Sequence, residues 1–251
     1  MKLHFMGTGN CAEVPCFDCD CPACERARSS FEYKRAPCSA EIELEGRYYL
    51  LDAGRMDLVQ HCEHRRPEAI LLTHYHADHV QGLLPLRWGK GLPIPVYAPD
   101  DSQGFADLYK NHGILDFRPP LQPFQSFALG AMTVIPVPLE HSKMTLGYAI
   151  EHADVRIAWL ADTLGLSAPS LEFLVEWQAD TVIVDANHPD SQHPSRNHNS
   201  LSEALALIRQ LAPRQAWLIH IGHDLDRFLM EHPNTLPDNV YISKDGLVLE
   251  F

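Results

Sequence analysis

"THYHADH", residues 73–79, sets three histidines and one aspartate in seven positions, at the end of the apolar run "EAILLT" (68–73). A buried strand that stops at such a cluster delivers its side chains to a rim and not to a core. Residues two apart share a face in extended chain, so His74 and His76 point the same way. Asp78 and His79 fall in the first turn of the helix that "DHVQGLLPLRW" (78–88) predicts, and they turn toward a neighbouring point. One tight loop can thus serve two cations. Imidazole and carboxylate suit zinc, iron or manganese. A lone H-x-H is an ordinary polar loop; the full H-x-H-x-D-H at a strand-to-helix junction points to a metal centre.

Other candidate ligands stand in the same place relative to apolar runs. His141 follows "AMTVIPVPL" (131–139), Asp162 follows "VRIAWL" (155–160) and His220 follows "QAWLI" (215–219). Strand ends put side chains on a common rim, where a site can be assembled from distant sequence. Helical stretches alternate with the strands: "PSLEFLVEW" (169–177), "LSEALALIRQLA" (201–212), opened by Ser200 or Ser202, and "DLDRFLME" (224–231). This alternation predicts an α/β (α+β) fold of two sheets covered by helices. "AEIELEGRYYLL" (40–51) reads as two strands turning at Glu45-Gly46. "DSQGFADLYKNHG" (101–113) reads as a helix capped by Asp101 or Ser102, and "NVYIS" (239–243) with "LVLEF" (247–251) as a closing hairpin. With no internal repeat, low-complexity run or linker, residues 1–251 are expected to form a single domain, with a cysteine-rich loop at about 11–38.

Twenty Lys and Arg against 33 Asp and Glu leave a formal charge of −13, and no basic cluster marks a nucleic-acid interface. Buried divalent cations would offset several of those acids. No apolar run approaches the roughly 20 residues that span a bilayer. "MKLHFMGTGNC" (1–11) lacks the apolar core of a signal peptide, so the expectations are no membrane, no nucleic acid and a cytoplasmic location.

In a reducing compartment, clustered cysteines read as metal ligands before disulfides. "CFDCDCPAC" (16–24) holds four of the seven cysteines. Cys19, Cys21 and Cys24 supply three corners of the tetrahedron that structural zinc prefers. The fourth corner is open to Cys16 nearby or to His223, three residues beyond His220. Cys11, Cys38 and Cys62 read as free thiols.

H-x-H-x-D-H after a buried strand resembles the metallo-β-lactamase superfamily, whose fold is an αββα sandwich. The later positions match it in order and context: His141 in "PLEHSK", Asp162 in "WLADT" and His220 in "WLIHIGH". The resemblance implies one cation on His74, His76 and His141 and a second on Asp78, His79 and His220. Asp162 would bridge them, since a carboxylate has two oxygens to offer. It further implies attack by a metal-bridging hydroxide.

"LTHYHADHVQGLLPLRWG" (72–89), "IPVYAP" (94–99), "HSKMTLGY" (141–148), "WLADTLGL" (159–166) and "RNHNSL" (196–201) narrow the likeness. They are similar to the cyclic phosphodiesterases of the bacterial carbon–phosphorus lyase pathway, which act in phosphonate catabolism. That branch implies hydrolysis of 5-phosphoribosyl 1,2-cyclic phosphate to ribose 1,5-bisphosphate. It implies His198 and Asp78 as catalytic residues, with His198 the proton donor, and Mn2+ in the binuclear site, which Zn2+ or Fe2+ would also fit. It also implies a structural Zn2+ on Cys19, Cys21, Cys24 and His223, and a homodimer. Ser142, Lys143, Arg196 and Asn197 flank the ligands and are candidates to hold phosphate oxygens. His188 in "DANHPD" reads first as a structural histidine. The rivals are a tRNA 3′-processing nuclease, or a metal-binding scaffold of cofactor biosynthesis without turnover.

Overall fold

The structure, a computed structural model, describes residues 1–191 and 196–251. One sheet has the spatial order β14-β1-β2-β3-β4-β5-β6 and the other β13-β12-β11-β10-β9-β8-β7. Six strands of the first are β1 (Lys2–Gly7), β2 (Ser39–Leu44), β3 (Arg47–Leu51), β4 (Ala69–Leu71), β5 (Ile94–Tyr97) and β6 (Leu115–Phe117). The second comprises β7 (Phe127–Leu129), β8 (Met132–Leu139), β9 (Thr145–His152), β10 (Val155–Leu160), β11 (Thr181–Asp185), β12 (Gln215–Ile219) and β13 (Val240–Ile242). The last strand, β14 (Val248–Glu250), returns to the first sheet beside β1.

Each sheet is antiparallel over half its width and parallel over the rest. Parallel neighbours need crossovers, and helices supply them. In the first sheet these are α2 (Leu58–Cys62), α3 (Ala77–Val80), α4 (Leu83–Leu86) and α5 (Ala106–Lys110), and in the second α6 (Ala168–Trp177), α7 (Leu201–Leu211) and α8 (His223–Glu231). The remaining helix, α1 (Pro22–Ser29), packs on α8. Three apolar layers result. Phe5, Ile42, Leu71, Tyr148, Trp159 and Ile219 fill the space between the sheets. Leu58, Val80, Leu83 and Leu108 cover the outer face of the first sheet, and Leu174, Leu207, Ile208 and Leu225 that of the second. The fold has the two helix-covered sheets that the sequence pattern predicts, in the αββα sandwich that the resemblance implies. No helix among the described residues is long and apolar enough to cross a membrane.

Local chemistry explains most element ends. Glu45 and Gly46 both take positive φ, as a two-residue hairpin turn between β2 and β3 demands. Ser200, not Ser202, caps α7, in a reciprocal capping box with Glu203. Four segments depart from the sequence reading, the first being the helix predicted over 78–88, which is divided into α3 and α4. "NVYIS" and "LVLEF" are not a hairpin: β13 pairs parallel with β12, whereas β14 pairs antiparallel with β1 in the other sheet. Buried Ser243 anchors the crossing by donating its hydroxyl to Leu218 O. Residues 101–104 form a turn in which Asp101 Oδ1 accepts from the Gln103 and Gly104 amides, so α5 begins only at Ala106. The polar stretch after Cys21 is helical as α1, with Pro22 in its first turn.

Phe5 of the first sheet lies 6.3 Å from Trp159 and 6.1 Å from Trp217 of the second, ring centre to ring centre. Phe5→Ala is expected to cost about 3–5 kcal/mol in chemical denaturation. A loss below about 1 kcal/mol would show that the sheets do not depend on this contact.

Candidate functional site

The sheets bring their strand ends to one rim. Asp52 follows β3, His74 follows β4, His141 follows β8, Asp162 follows β10, Asp185 ends β11 and His220 follows β12. His76 precedes α3, while Asp78 and His79 lie in its single turn, as the spacing predicts. Three groups of ligand atoms result, each within 4.8 Å: His74, His76, His141 and Asp162; Asp78, His79, His220 and Asp162; and Asp185, His198 and His220. In the first, His76 Nδ1 is 2.8 Å from His74 Nε2 and 3.1 Å from His141 Nε2. In the second, Asp78 Oδ2 is 3.6 Å from His79 Nε2 and 3.8 Å from His220 Nε2. Asp162 joins them. Its Oδ2 lies 3.7 Å from His74 Nε2, 3.7 Å from His141 Nε2 and 3.2 Å from His79 Nε2, and its Oδ1 lies 3.3 Å from His220 Nε2.

These donors fit a pair of divalent cations. His79 Nε2, His220 Nε2 and Asp162 Oδ1 are buried and have no hydrogen-bond partner, although buried polar atoms normally find one. All three converge on the second group. Burial keeps His74 and His76 below the ordinary imidazole range and pushes His141 down to about 4. Burial opposes ionisation of Asp162, but His220 and His79 hold it well below the usual carboxylate range. Neutral imidazoles and an ionised carboxylate are the forms that ligate metal. At His79, Asp162 and Asp52 outweigh burial and favour the imidazolium, so a proton competes with a cation for Nε2.

The outer nitrogens are held as well, which fixes tautomer and ring direction. His79 Nδ1 lies 2.8 Å from Asp52 Oδ2, His74 Nδ1 lies 3.0 Å from Thr73 Oγ1, and His141 Nδ1 donates to Asn197 O at 3.0 Å. Asp52 also accepts the Thr73 amide and hydroxyl, at 2.7 and 2.8 Å. Asp52, Asp162 and His220 all adopt left-handed backbone, with φ of 61°, 59° and 60°. Such residues cost on the order of 1 kcal/mol or more each and concentrate at functional sites. Gly54 is required by contact: a Cβ there would sit 1.7 Å from Asp78 O. Asp52 and Asp185 were not assigned from the sequence. The available signal was "YYLLD" and "VIVD", apolar runs ending in aspartate just as "IAWLAD" does.

His198 stands beside the second group, its ring stacked on His220 at 4.5 Å and 5.1 Å from His141, centre to centre. Its Nδ1 lies 2.8 Å from Asp185 Oδ2. Burial works against its charge, but Asp185 more than offsets that and raises its pKa. Ser142 N donates to Asn197 Oδ1 at 2.9 Å, and Ser142 Oγ lies 3.5 Å from His76 Nε2. Lys143 pairs with Asp101 at 3.3 Å. Arg196 is exposed. His188 joins no ligand group among the described residues; its Nδ1 meets Pro189 O at 2.9 Å and its backbone bridges to Ser200.

A separate group forms from Cys19, Cys21, Cys24 and His223, again within 4.8 Å. His223 Nδ1 lies 3.4 Å from Cys19 Sγ and 3.6 Å from Cys21 Sγ. Cys16 faces away: its amide donates to Cys24 Sγ and its thiol meets Phe17 O. Three sulfurs and one nitrogen fit structural zinc, and among the two candidates His223 completes the set. Cys11, Cys38 and Cys62 are free thiols.

Elemental analysis is expected to find one zinc and two further divalent cations per chain. Zinc alone would favour a scaffold without turnover. Cys21→Ser should lose one zinc equivalent and lower Tm; an unchanged Tm would remove the structural role. Asp52→Asn should weaken cation binding at the rim by roughly 10–100-fold, and wild-type affinity would show that His79 needs no such support.

Known proteins resemble this chain over most of its length. It is 28% identical, over 98% of its residues, to an octanoyltransferase of Porphyromonas gingivalis, and it spans about half (51%) of that protein. It is 26% identical to a ribonuclease Z of Shouchella clausii, over 100% of this chain and 97% of that one. Among solved structures, a diphosphatase from the PhnP family superposes with a TM-score of 0.84 at 26% identity, over 100% of this chain and 97% of that one. Residues 47–221, which include the histidine motif, Asp162 and His220, match the family model described as a β-lactamase superfamily domain. The chain belongs to that superfamily, and its ligand groups are consistent with a binuclear metal site.

Proposed function

We propose that the chain is a cyclic phosphodiesterase that opens 5-phosphoribosyl 1,2-cyclic phosphate to ribose 1,5-bisphosphate, a step of phosphonate catabolism. The observation that carries this reading is His198, which Asp185 holds at the rim against both His141 and His220. Opening a cyclic phosphodiester breaks a phosphorus–oxygen bond to a sugar alkoxide, and that alkoxide needs a proton. With Nδ1–H on Asp185, which favours the imidazolium, protonated His198 would donate its Nε2–H to the departing 2-oxygen and be left as neutral imidazole. His74, His76 and His141 would hold one cation and Asp78, His79 and His220 the other, with Asp162 between them. Two divalent cations (Mn2+, with Zn2+ or Fe2+ also suited) would supply an activated water and neutralise charge on the phosphoryl oxygens.

Asp78 is the more open of the two ligand carboxylates, 14% exposed against 2% for Asp162. On this reading Asp78 takes the proton of attacking water. Asn197 and Ser142 present polar groups beside His141 and His76 for phosphate oxygens. The substrate on this reading is a small molecule; a charge of −13 disfavours RNA.

The likeness to a PhnP-family diphosphatase favours a second reading, hydrolysis of a diphosphate linkage. Steady-state rates on the cyclic ribose phosphate, a nucleoside diphosphate and a tRNA precursor separate the possibilities. Highest kcat/KM on the first is expected. Preference for the second would transfer the assignment to phosphoanhydrides, and turnover of the third alone would refute both. His198→Ala should lower kcat by roughly 100–10,000-fold while metal content stays at the wild-type level. Wild-type turnover in that variant would remove the proton-donor role.

A further inference from the structure

We infer that Lys143 and Asp101 form a recognition subsite for a second phosphate of the substrate, the one that does not react, with Lys143 making the contact and Asp101 positioning it. The inference rests on the phosphate-hydrolase reading above and deepens it. Lys143 lies two residues beyond His141, on the loop where Ser142 meets His76. Its side chain reaches across to Asp101, Nζ to Oδ2 at 3.3 Å.

Asp101 is set firmly in place. Its carboxylate is only 12% exposed, and Oδ1 accepts two backbone amides, from Gln103 and Gly104, both at 2.9 Å. Its carbonyl accepts the Tyr109 hydroxyl at 3.0 Å, and Tyr109 packs edge-on against Tyr75 at 5.3 Å. Tyr75 lies between His74 and His76 in the metal loop itself. A closed circuit of contacts therefore runs from the histidine motif through Tyr75, Tyr109, Asp101 and Lys143 to Ser142 and back to His76. Asp101 thus turns the Lys143 ammonium to a definite place beside this loop.

The pairing does not consume the ammonium. It has three N–H donors, and Asp101 takes one among the described residues. Two N–H donors remain for an anion's oxygens, on a side chain that is 26% exposed. A substrate bearing two phosphates could thus place one at the cation centre and the other on Lys143. A terminal phosphate on a sugar and the distal phosphate of a diphosphate present the same chemistry to it.

Two measurements test this. The first is the ratio of kcat/KM for the 5-phosphorylated cyclic substrate to that for its 5-hydroxy analogue. Lys143→Gln should lower this ratio by roughly 10–100-fold through KM, the loss of a hydrogen bond to a charged group, and Lys143→Arg should restore most of it. Asp101→Asn should lower it less, again in KM and not in kcat. An unchanged ratio in Lys143→Gln would overturn the inference. The second is binding of ribose 5-phosphate to the metal-loaded protein by calorimetry, which needs no turnover. Lys143→Gln should weaken it about tenfold; equal affinity would overturn the subsite. If the wild type binds ribose 5-phosphate through Lys143 but hydrolyses neither cyclic compound, the subsite stands and the cyclic-substrate reading falls.

Discussion

Asp162 is buried where the strand ends of both sheets meet, and its two oxygens face four imidazoles that arrive on three different segments of chain. Burying a carboxylate is costly unless it is paired, and removing a partner leaves the charge exposed to a low dielectric. Among the described residues, His79 Nε2 and His220 Nε2 in turn find no hydrogen-bond partner. The arrangement is self-consistent only when positive charge lies between the groups, as protons in part or as divalent cations in full. Strand lengths, crossovers and the left-handed turns at Asp52, Asp162 and His220 all serve that convergence.

The cysteine group is tied to the same centre by a short piece of backbone. His220 and His223 are three residues apart, and Gly222 between them lies so close to Asn187 that a Cβ would meet its carbonyl at 2.8 Å. Asn187 contacts the His220 ring through its side-chain amide at 3.0 Å and receives the Gly222 amide. Gly9 bridges to both Pro37 and Ile221, joining the N-terminal loop to the end of β12. A cation on Cys19, Cys21, Cys24 and His223 would fix one end of this segment while the rim fixes the other. Fold stability and ligand geometry are thereby linked through four residues.

Much of this was legible in the sequence because two periodicities coincide: apolar runs mark strands, and ligand-type residues mark where they stop. That rule placed His74, His141, Asp162 and His220, and the resemblance sorted them into two groups. Asp52 and Asp185 obey the same rule, but a lone aspartate after an apolar run also looks like a turn residue, and only the fold shows which histidine it faces. The closing hairpin failed because adjacent strands in sequence pair only when their sheet edges lie together, and β13 and β14 sit at the edges of different sheets. Residues 101–104 carry good helix-capping types, yet Asp101 uses them to build the wall that meets Lys143.

The left-handed backbone at Asp52, Asp162 and His220 has an effect on how the protein behaves before cations bind. None of the three can relax by becoming glycine without deleting the oxygen or nitrogen that the centre uses. Conformational tension round the rim is therefore a built-in property, held by the contacts that Asp52, Asp162 and His220 make there. Ion capture, by satisfying the buried nitrogens and oxygen left without partners there, should stiffen this edge of the sandwich more than its distant helical faces.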